Sequence, residues 1–137
     1  MRVLLVGSKH NSSIENMYLD AFKSLKKKIY FLNFKSFIEL NLIEKIIYKL
    51  FPNFFLFINF RKLEKKLKYE NYTHIILFNS GNLNFDYLNN LKKNNKKIYF
   101  INILSDNPFW NLNNQHKKDI KKILTLFDKV FSWSKDI

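Results

Sequence analysis

Five short runs of apolar residues recur along the chain, and they constrain its fold more than any other feature. Several are almost continuous in Val, Ile, Leu, Phe and Tyr, as in His74-Ile75-Ile76-Leu77-Phe78. Uninterrupted runs of this kind are typical of strands covered on both faces, as in a parallel sheet. The sequence therefore predicts five buried strands, at Arg2–Gly7, Lys28–Phe34, Thr73–Ser80, Lys96–Leu104 and Lys129–Trp133.

Helical patterns lie between these runs. The first has apolar residues at i, i+3, i+4 and i+7 from Ile14 to Leu25, and Ser12-Ser13-Ile14-Glu15 before it is typical of a capping box. The stretch from Ile38 to about Tyr69 is expected to form two helices, because Pro52 disfavours a continuous one. Two shorter helices are predicted by Phe85, Leu88 and Leu91, and by Ile120, Ile123, Leu124 and Phe127.

The alternation of strands and helices predicts the fold class. It is a doubly wound α/β fold, with a mainly parallel, five-stranded Rossmann-like sheet and helices on both faces. Ligands of such folds bind outside the carboxyl ends of the strands. The segments expected at that edge are Gly7–Ser13, Phe34–Phe37, Asn79–Asn84, Ser105–Asn111 and Ser132–Lys135.

Composition excludes several classes of protein. The 137 residues are 47% hydrophobic, which favours a globular chain over a disordered one. No cysteine is present, so disulfides and thiolate metal sites are excluded. The most apolar stretch, Leu50 to Phe60, falls well short of the roughly 20 residues that span a bilayer. We expect a cytoplasmic protein, or one bound peripherally at the inner face of the membrane.

The chain is basic, with 24 Lys and Arg against 11 Asp and Glu. The basic runs Lys26–Lys28, Arg61–Lys68 and Lys92–Lys97 each precede a predicted strand, which assigns them to the edge opposite the expected site. Cations there match the helix dipoles, so a solvated, dipole-matched face is the favoured interpretation. The alternative is a patch for an anionic membrane surface. Specific nucleic-acid binding is not expected, since no recognition motif accompanies the charge.

The first predicted loop offers candidate ligand-binding residues in Gly7, Ser8 and His10. It leads from a strand into a helix N-terminus, where unpaired N–H groups suit a phosphate. Neither a G-x-G-x-x-G fingerprint nor a P-loop motif is present. Gly7 could equally serve only to make the turn, with Ser12 capping the helix. The three histidines lack the spacing of metal ligands, so no metal and no cofactor is expected.

Longer stretches of the chain resemble a known family. The opening "MRVLLVGSKHNSSIENMYLDAFKSL" resembles that of GT-B type glycosyltransferases, which have two Rossmann domains. "FINILSDNPFW" followed by "LFDKVFSWS" is similar to their spore-maturation-protein-like branch, related to the glycosyl transferase family 1-4-like enzymes. The resemblance spans the whole chain, but only as the N-terminal half of such an enzyme. Asn107 stands where a second Asp is often found in that branch, so no carboxylate pair is implied.

The resemblance implies that two domains each bind one of the two substrates. Residues 1–137 would form one Rossmann-like domain, the acceptor-side half, which binds a glycan or another acceptor. A C-terminal domain missing from this chain would bind the nucleotide sugar, and transfer would occur in the cleft between them. By itself, therefore, the chain is expected to be inactive, as a truncated glycosyltransferase would be.

Asp106 is the candidate catalytic residue under this resemblance. Its carboxylate could hydrogen-bond an acceptor hydroxyl or, in an inverting enzyme, act as general base. The alternative is turn chemistry, in which Asp106 or Asn107 caps a short helix that begins at Pro108. Trp110 could stack on a sugar or simply pack. Further substrate-binding candidates at the rim are Ser80, Gly81 and, more weakly, Ser132.

Two other classes of function stay open. One is a non-catalytic, flavodoxin-like binding or interaction domain, and the other is a basic membrane- or nucleic-acid-associated module. The sequence leaves the donor sugar, the acceptor and the stereochemistry undetermined.

Overall fold

A computed structural model describes residues 1–10, 13–35, 37–78, 84–105 and 114–132. Its five strands form one sheet in the order β2-β1-β3-β4-β5, and every strand pairing is parallel. The strands are β1 (Arg2–Gly7), β2 (Lys28–Asn33), β3 (His74–Phe78), β4 (Tyr99–Leu104) and β5 (Lys129–Ser132). The helices are α1 (Ile14–Ser24), α2 (Leu42–Leu50), α3 (Pro52–Tyr69), α4 (Phe85–Asn94) and α5 (Asn114–Leu124), with a 3₁₀ turn at Phe37–Glu39.

This architecture confirms the predicted doubly wound, Rossmann-like α/β fold. Helices pack on both faces of the sheet, in two apolar layers. On one face, Ile14, Tyr18 and Phe22 of α1 pack against β-strand residues such as Val3 and Leu5. On the other face α3, α4 and α5 contribute the buried side chains of Phe60, Leu63, Leu67, Leu88, Leu91 and Ile123.

The predicted strand positions are confirmed: β1 has the predicted bounds, and β2 ends one residue earlier than predicted. The predicted last residues of β3 and β5, Asn79, Ser80 and Trp133, lie outside the described residues. The largest difference is in β4, which begins at Tyr99 rather than at Lys96, because Lys96 and Lys97 lie in the turn after α4. The predicted break in the long helical stretch is also confirmed. Phe51 separates α2 from α3, and Pro52 is the first residue of α3, where its missing N–H costs no hydrogen bond.

The start of α1 differs from the prediction: the helix begins one residue later than a cap at Ser12 implies, and Ser12 itself lies outside the described residues. Ser13 is the N-cap residue and makes no side-chain cap hydrogen bond; its hydroxyl instead donates to the Ser8 carbonyl at 3.0 Å. The structure has a capping box at α2, where the Asn41 side chain accepts from Glu44 N at 2.8 Å. Glu44 completes it by accepting from Asn41 N at 2.9 Å. Glu15 instead contributes its carboxylate to the loop after β1, where it accepts from Ser8 N.

The strand order defines where the fold changes direction. β1 pairs with β2 on one side and with β3 on the other, so the chain turns back at β1 before building outward through β3, β4 and β5. In open α/β sheets the crevice at such a switch point is the usual ligand site. The loop that follows β1 at Gly7 therefore lies at the expected position.

Most of the basic runs lie at the edge opposite that loop, as predicted, but Arg61 and Lys62 at the start of the second run lie in the middle of α3. Lys26–Lys28 connect α1 to β2, Lys66 and Lys68 lie in the last turn of α3, and Lys92 and Lys93 in that of α4. At the same edge Arg2, the first residue of β1, pairs with Glu70 at 2.9 Å. Hydrogen bonds from Lys66 and from the Tyr72 hydroxyl lower the pKa of the Glu70 carboxyl, and the charges of Lys66 and Arg2 lower it further. This edge is built from ion pairs and helix C-termini.

Candidate functional site

Gly7 is the last residue of β1, and its surroundings explain why a glycine stands there. A Cβ atom placed on Gly7 would lie 2.5 Å from Glu15 Cγ and 2.8 Å from Glu15 Oε1. Its φ angle is not in the left-handed region, so the turn does not itself require glycine. The sequence interpretation that Gly7 merely makes the turn is thus corrected: glycine is needed to leave room for Glu15.

Glu15 brings a carboxylate to the loop after β1. It lies in the first turn of α1, is only 5% exposed, and accepts a hydrogen bond from Ser8 N at 3.2 Å. The backbone N–H that could have bound a phosphate therefore already has an anionic partner. A second anion at this position would be repelled by the Glu15 carboxylate.

Ser8 joins this loop to the segment that follows β2. Its hydroxyl donates to Glu39 Oε2 at 2.6 Å and accepts from His10 N at 3.3 Å. The other carboxylate oxygen of Glu39 accepts from the Asn33 side-chain amide at 3.3 Å. The Asn33 amide oxygen accepts in turn from Lys9 N at 3.1 Å. One network therefore ties the carboxyl ends of β1 and β2 together.

The backbone of the loop is held at further points. Phe34 N donates to the Gly7 carbonyl at 2.8 Å, and Asn16 of α1 donates to the His10 carbonyl at 2.7 Å. A site built on this loop is thus pre-organised, because its residues are fixed by α1 on one side and by the end of β2 on the other.

The arrangement has a clear chemical preference. Two carboxylates, Glu15 and Glu39, flank Ser8, and each oxygen has two lone-pair directions with which to accept hydrogen bonds. Such groups suit ligands that donate hydrogen bonds, above all hydroxyl groups, and disfavour phosphates. Among the described residues no group of three or more His, Asp or Glu side chains is placed to hold a metal ion.

Of the predicted site residues, the structure brings Gly7, Ser8 and His10 together at the switch point. The other predicted site residues lie outside the described part of the chain: Ser80, Gly81, Asp106, Asn107 and Trp110. Ser132, a weaker candidate, ends β5 at the same edge of the sheet. His74 begins β3 at the opposite edge, where its Nδ1 contacts the Thr73 hydroxyl at 2.9 Å, consistent with a structural role.

Sequence reasoning missed Glu39 and Asn33 and assigned Glu15 a capping role. A signal for Asn33 was present, since a polar residue ends an otherwise apolar strand at the predicted ligand edge. Glu39 gave none, because it falls within a helical pattern and only the 3₁₀ turn brings it back to Ser8.

No protein-family model matches this chain, and comparison with curated proteins and with solved structures found no significant match either. Its class is therefore defined by its fold, a parallel, doubly wound α/β domain with a polar switch-point loop. None of the described helices has the length and apolar composition needed to cross a membrane.

Proposed function

We propose that this chain is the acceptor-side domain of a GT-B type glycosyltransferase. In this proposal the loop after β1 binds a hydroxyl-bearing acceptor, a glycan or a similar molecule, at the carboxyl edge of the sheet. A separate donor domain binds the nucleotide sugar, and transfer takes place where the two meet. The chain alone binds but does not catalyse.

The observation that carries the proposal is the placement of Ser8 between two carboxylates at the switch point. Carboxylates are the common partners of sugar hydroxyls, because they accept hydrogen bonds from neutral donors more strongly than amides do. The same carboxylates oppose a nucleotide diphosphate at this loop. That polarity favours an acceptor half over a donor half.

Asp106 has a place in this proposal that rests on the sequence alone. It follows β4, whose last residue, Leu104, lies at the carboxyl edge of the sheet. As general base it would remove the proton of the acceptor hydroxyl as the sugar is transferred. Asp106→Asn should then abolish transfer in the presence of the donor domain while leaving acceptor binding measurable.

Binding by the isolated chain tests the proposal directly. A panel of neutral mono- and disaccharides and a panel of uridine and guanosine diphosphate sugars are each added in a thermal unfolding assay. A saccharide at ten times its Kd should raise Tm by about 5 °C, whereas the nucleotide sugars should not. Stabilisation by nucleotide sugars and not by saccharides would overturn the acceptor assignment.

Matched variants test whether the saccharides that raise Tm bind at the loop after β1. Ser8→Ala and Glu39→Gln should each remove the shift produced by saccharides. Ser24→Ala is the control, because its hydroxyl bonds only to the Ala21 carbonyl near the end of α1. Retention of the full shift in both loop variants would place the binding site elsewhere.

The second candidate is a non-catalytic, flavodoxin-like binding or interaction domain. The strand order 2-1-3-4-5, which is that of flavodoxin-like folds, favours it. This candidate predicts that neither saccharides nor nucleotide sugars change Tm, and that no donor-binding domain is encoded in the same gene or a neighbouring one.

A further inference from the structure

Helix α2 and the start of α3 carry a large apolar surface that the other described elements leave largely exposed. Of the fifteen large hydrophobic side chains that are exposed among the described residues, eight lie between residues 38 and 57. We call them the α2–α3 surface: Ile38, Leu42, Ile43, Ile46, Leu50, Phe51, Phe54 and Phe57. More than half of the exposed large hydrophobic side chains among the described residues thus fall in one short segment, and such a concentration is typical of an interaction surface.

The α2 residues of this surface lie along one face of the helix. In an α-helix of 3.6 residues per turn, Leu42, Ile46 and Leu50 lie on one stripe, with Ile43 beside it. These four side chains are between 51% and 75% exposed. Ile47, outside this stripe, instead lines a cavity together with Phe54 and Ile58 of α3. The stripe is therefore a second apolar face that the fold itself leaves in solvent.

Cations border this surface. Lys45 and Lys49 lie one turn apart on α2, beside the stripe. The Cζ atom of Arg61 lies 5.8 Å from the centre of the Phe57 ring. Residues 35–64, which include the surface and the cations near it, contain five Lys and Arg against three Glu. Two of those carboxylates are paired with cations, Glu44 with Lys35 at 2.7 Å and Glu64 with Arg61 at 3.1 Å. The segment keeps a positive excess next to its apolar stripe.

We propose that the α2–α3 surface docks the protein on an anionic lipid bilayer. Leu, Ile and Phe side chains would enter the boundary between headgroups and acyl chains, with lysines facing the headgroup phosphates, as in interfacial amphipathic helices. Charge distinguishes this occupant from a second copy of the chain. Two copies joined at this surface would bring two positive segments together, whereas an anionic bilayer attracts them. The proposal stands independently of the glycosyltransferase assignment.

Vesicle co-sedimentation of the full chain tests the proposal. The probes are phosphatidylcholine vesicles with and without about one third phosphatidylglycerol. We expect at least tenfold tighter partitioning into the anionic vesicles, weakened by added salt. Equal partitioning into both, or none into either, would overturn it.

Variants separate this surface from the basic runs at the opposite edge. The double variant Leu42→Gln/Ile46→Gln should lose at least tenfold in vesicle partitioning. Its control, Met17→Gln/Leu25→Gln, also removes two exposed apolar side chains, in and next to α1, and should change partitioning less than twofold. Lys49→Gln should cost about fivefold, and Lys118→Gln on α5 much less.

Two further results would contradict the proposal. If Leu42→Gln/Ile46→Gln binds vesicles as the unmodified chain does, the basic edge binds lipid and the α2–α3 surface does not. If sedimentation equilibrium shows a dimer that this double variant dissociates, a second copy covers the surface. Circular dichroism of each variant, expected to match the parent chain because the changed side chains are exposed, confirms that the fold is retained.

Discussion

Glu15 packs against the backbone of Gly7 so closely that a methyl group on Gly7 would come within 2.5 Å of Glu15 Cγ. The same Glu15 carboxylate accepts the Ser8 N–H, so the two residues together set the shape and the charge of the switch-point loop. Gly7 therefore leaves room for the Glu15 side chain, whereas the glycine of a phosphate-binding loop leaves room for a phosphate.

Gly7→Ala should therefore destabilise the protein by about 1–3 kcal/mol, through crowding rather than through backbone strain. In a Glu15→Ala background the same substitution should cost less than about 0.5 kcal/mol, because the crowding atom is gone. Urea unfolding of the two single variants and the double variant measures the coupling. If the free-energy cost of the double variant equals the sum of the two single costs, Glu15 is not the residue that excludes a side chain at position 7.

Asn41→Ala should shorten or fray α2 and cost about 1 kcal/mol, because it removes one half of the only reciprocal cap found on the described helices. Asn41→Asp, which keeps the accepting oxygen, should cost much less. Ser24→Ala near the end of α1 is the comparison, since the Ser24 hydroxyl bonds to the Ala21 carbonyl and caps no helix N-terminus. Equal losses for Asn41→Ala and Asn41→Asp in urea unfolding would rule out the capping explanation.

Asp128 should make the stability of β4 and β5 depend on pH. Partial burial alone would raise the pKa of its carboxyl, but hydrogen bonds from Lys92 at 2.8 Å and from Phe100 N at 2.8 Å outweigh burial and lower it. A folded-state pKa below the unfolded value stabilises the fold above about pH 4, and this stabilisation is lost as the pH falls through the lowered pKa.

Asp128→Ala should accordingly cost about 1–3 kcal/mol at pH 7. The difference from the parent chain should narrow as the pH falls below about 4. Asp20→Ala is the control, because the Asp20 side chain is 75% exposed and its pair with Lys23 should contribute little. A stability difference for Asp128→Ala that is constant from pH 7 to pH 3 would contradict the linkage.

Asn102 should tolerate an apolar replacement better than a charged one. It is fully buried in β4, where its amide donates to the Leu77 carbonyl at 3.1 Å and its Oδ1 atom has no protein hydrogen-bond partner. Asn102→Leu removes both the bond and the unpaired oxygen, so we expect a change of less than about 1.5 kcal/mol. Asn102→Asp should cost about 3 kcal/mol or more, because it buries a charge without a partner. Thermal unfolding at pH 7 compares them, and equal losses would disprove this account.

The sequence could predict those features of the fold that depend on residues close together in the chain. Continuous apolar runs located all five strands, and Pro52 located the break between α2 and α3, because both effects are local. Alternating elements led to the parallel sheet, since a strand–helix–strand unit connects parallel strands in only one favoured way. The position of the first loop, with Gly7, Ser8 and His10, followed from that topology.

The candidate site was less predictable, because its contacts join residues far apart in the chain. Ser8 and Glu39 are 31 positions apart, and their hydrogen bond depends on how β2 and the turn after it return to β1. Glu15 showed the same limit in another way. Its spacing from Ser12 favoured a cap, but the open space beside Gly7 gave the carboxylate a buried position against Ser8 N.

By itself, then, the sequence determined the elements, the parallel fold and the edge at which the polar loops gather, because local periodicity and chain connectivity are written in neighbouring residues. Only the tertiary structure decided the strand order, the carboxylates around Ser8 and the exposure of α2. An apolar stripe has the same periodicity whether it is buried or not. Leu42 and Ile46 repeat as a core helix would, and only the packing of α2 onto α3 through its other side leaves them in solvent.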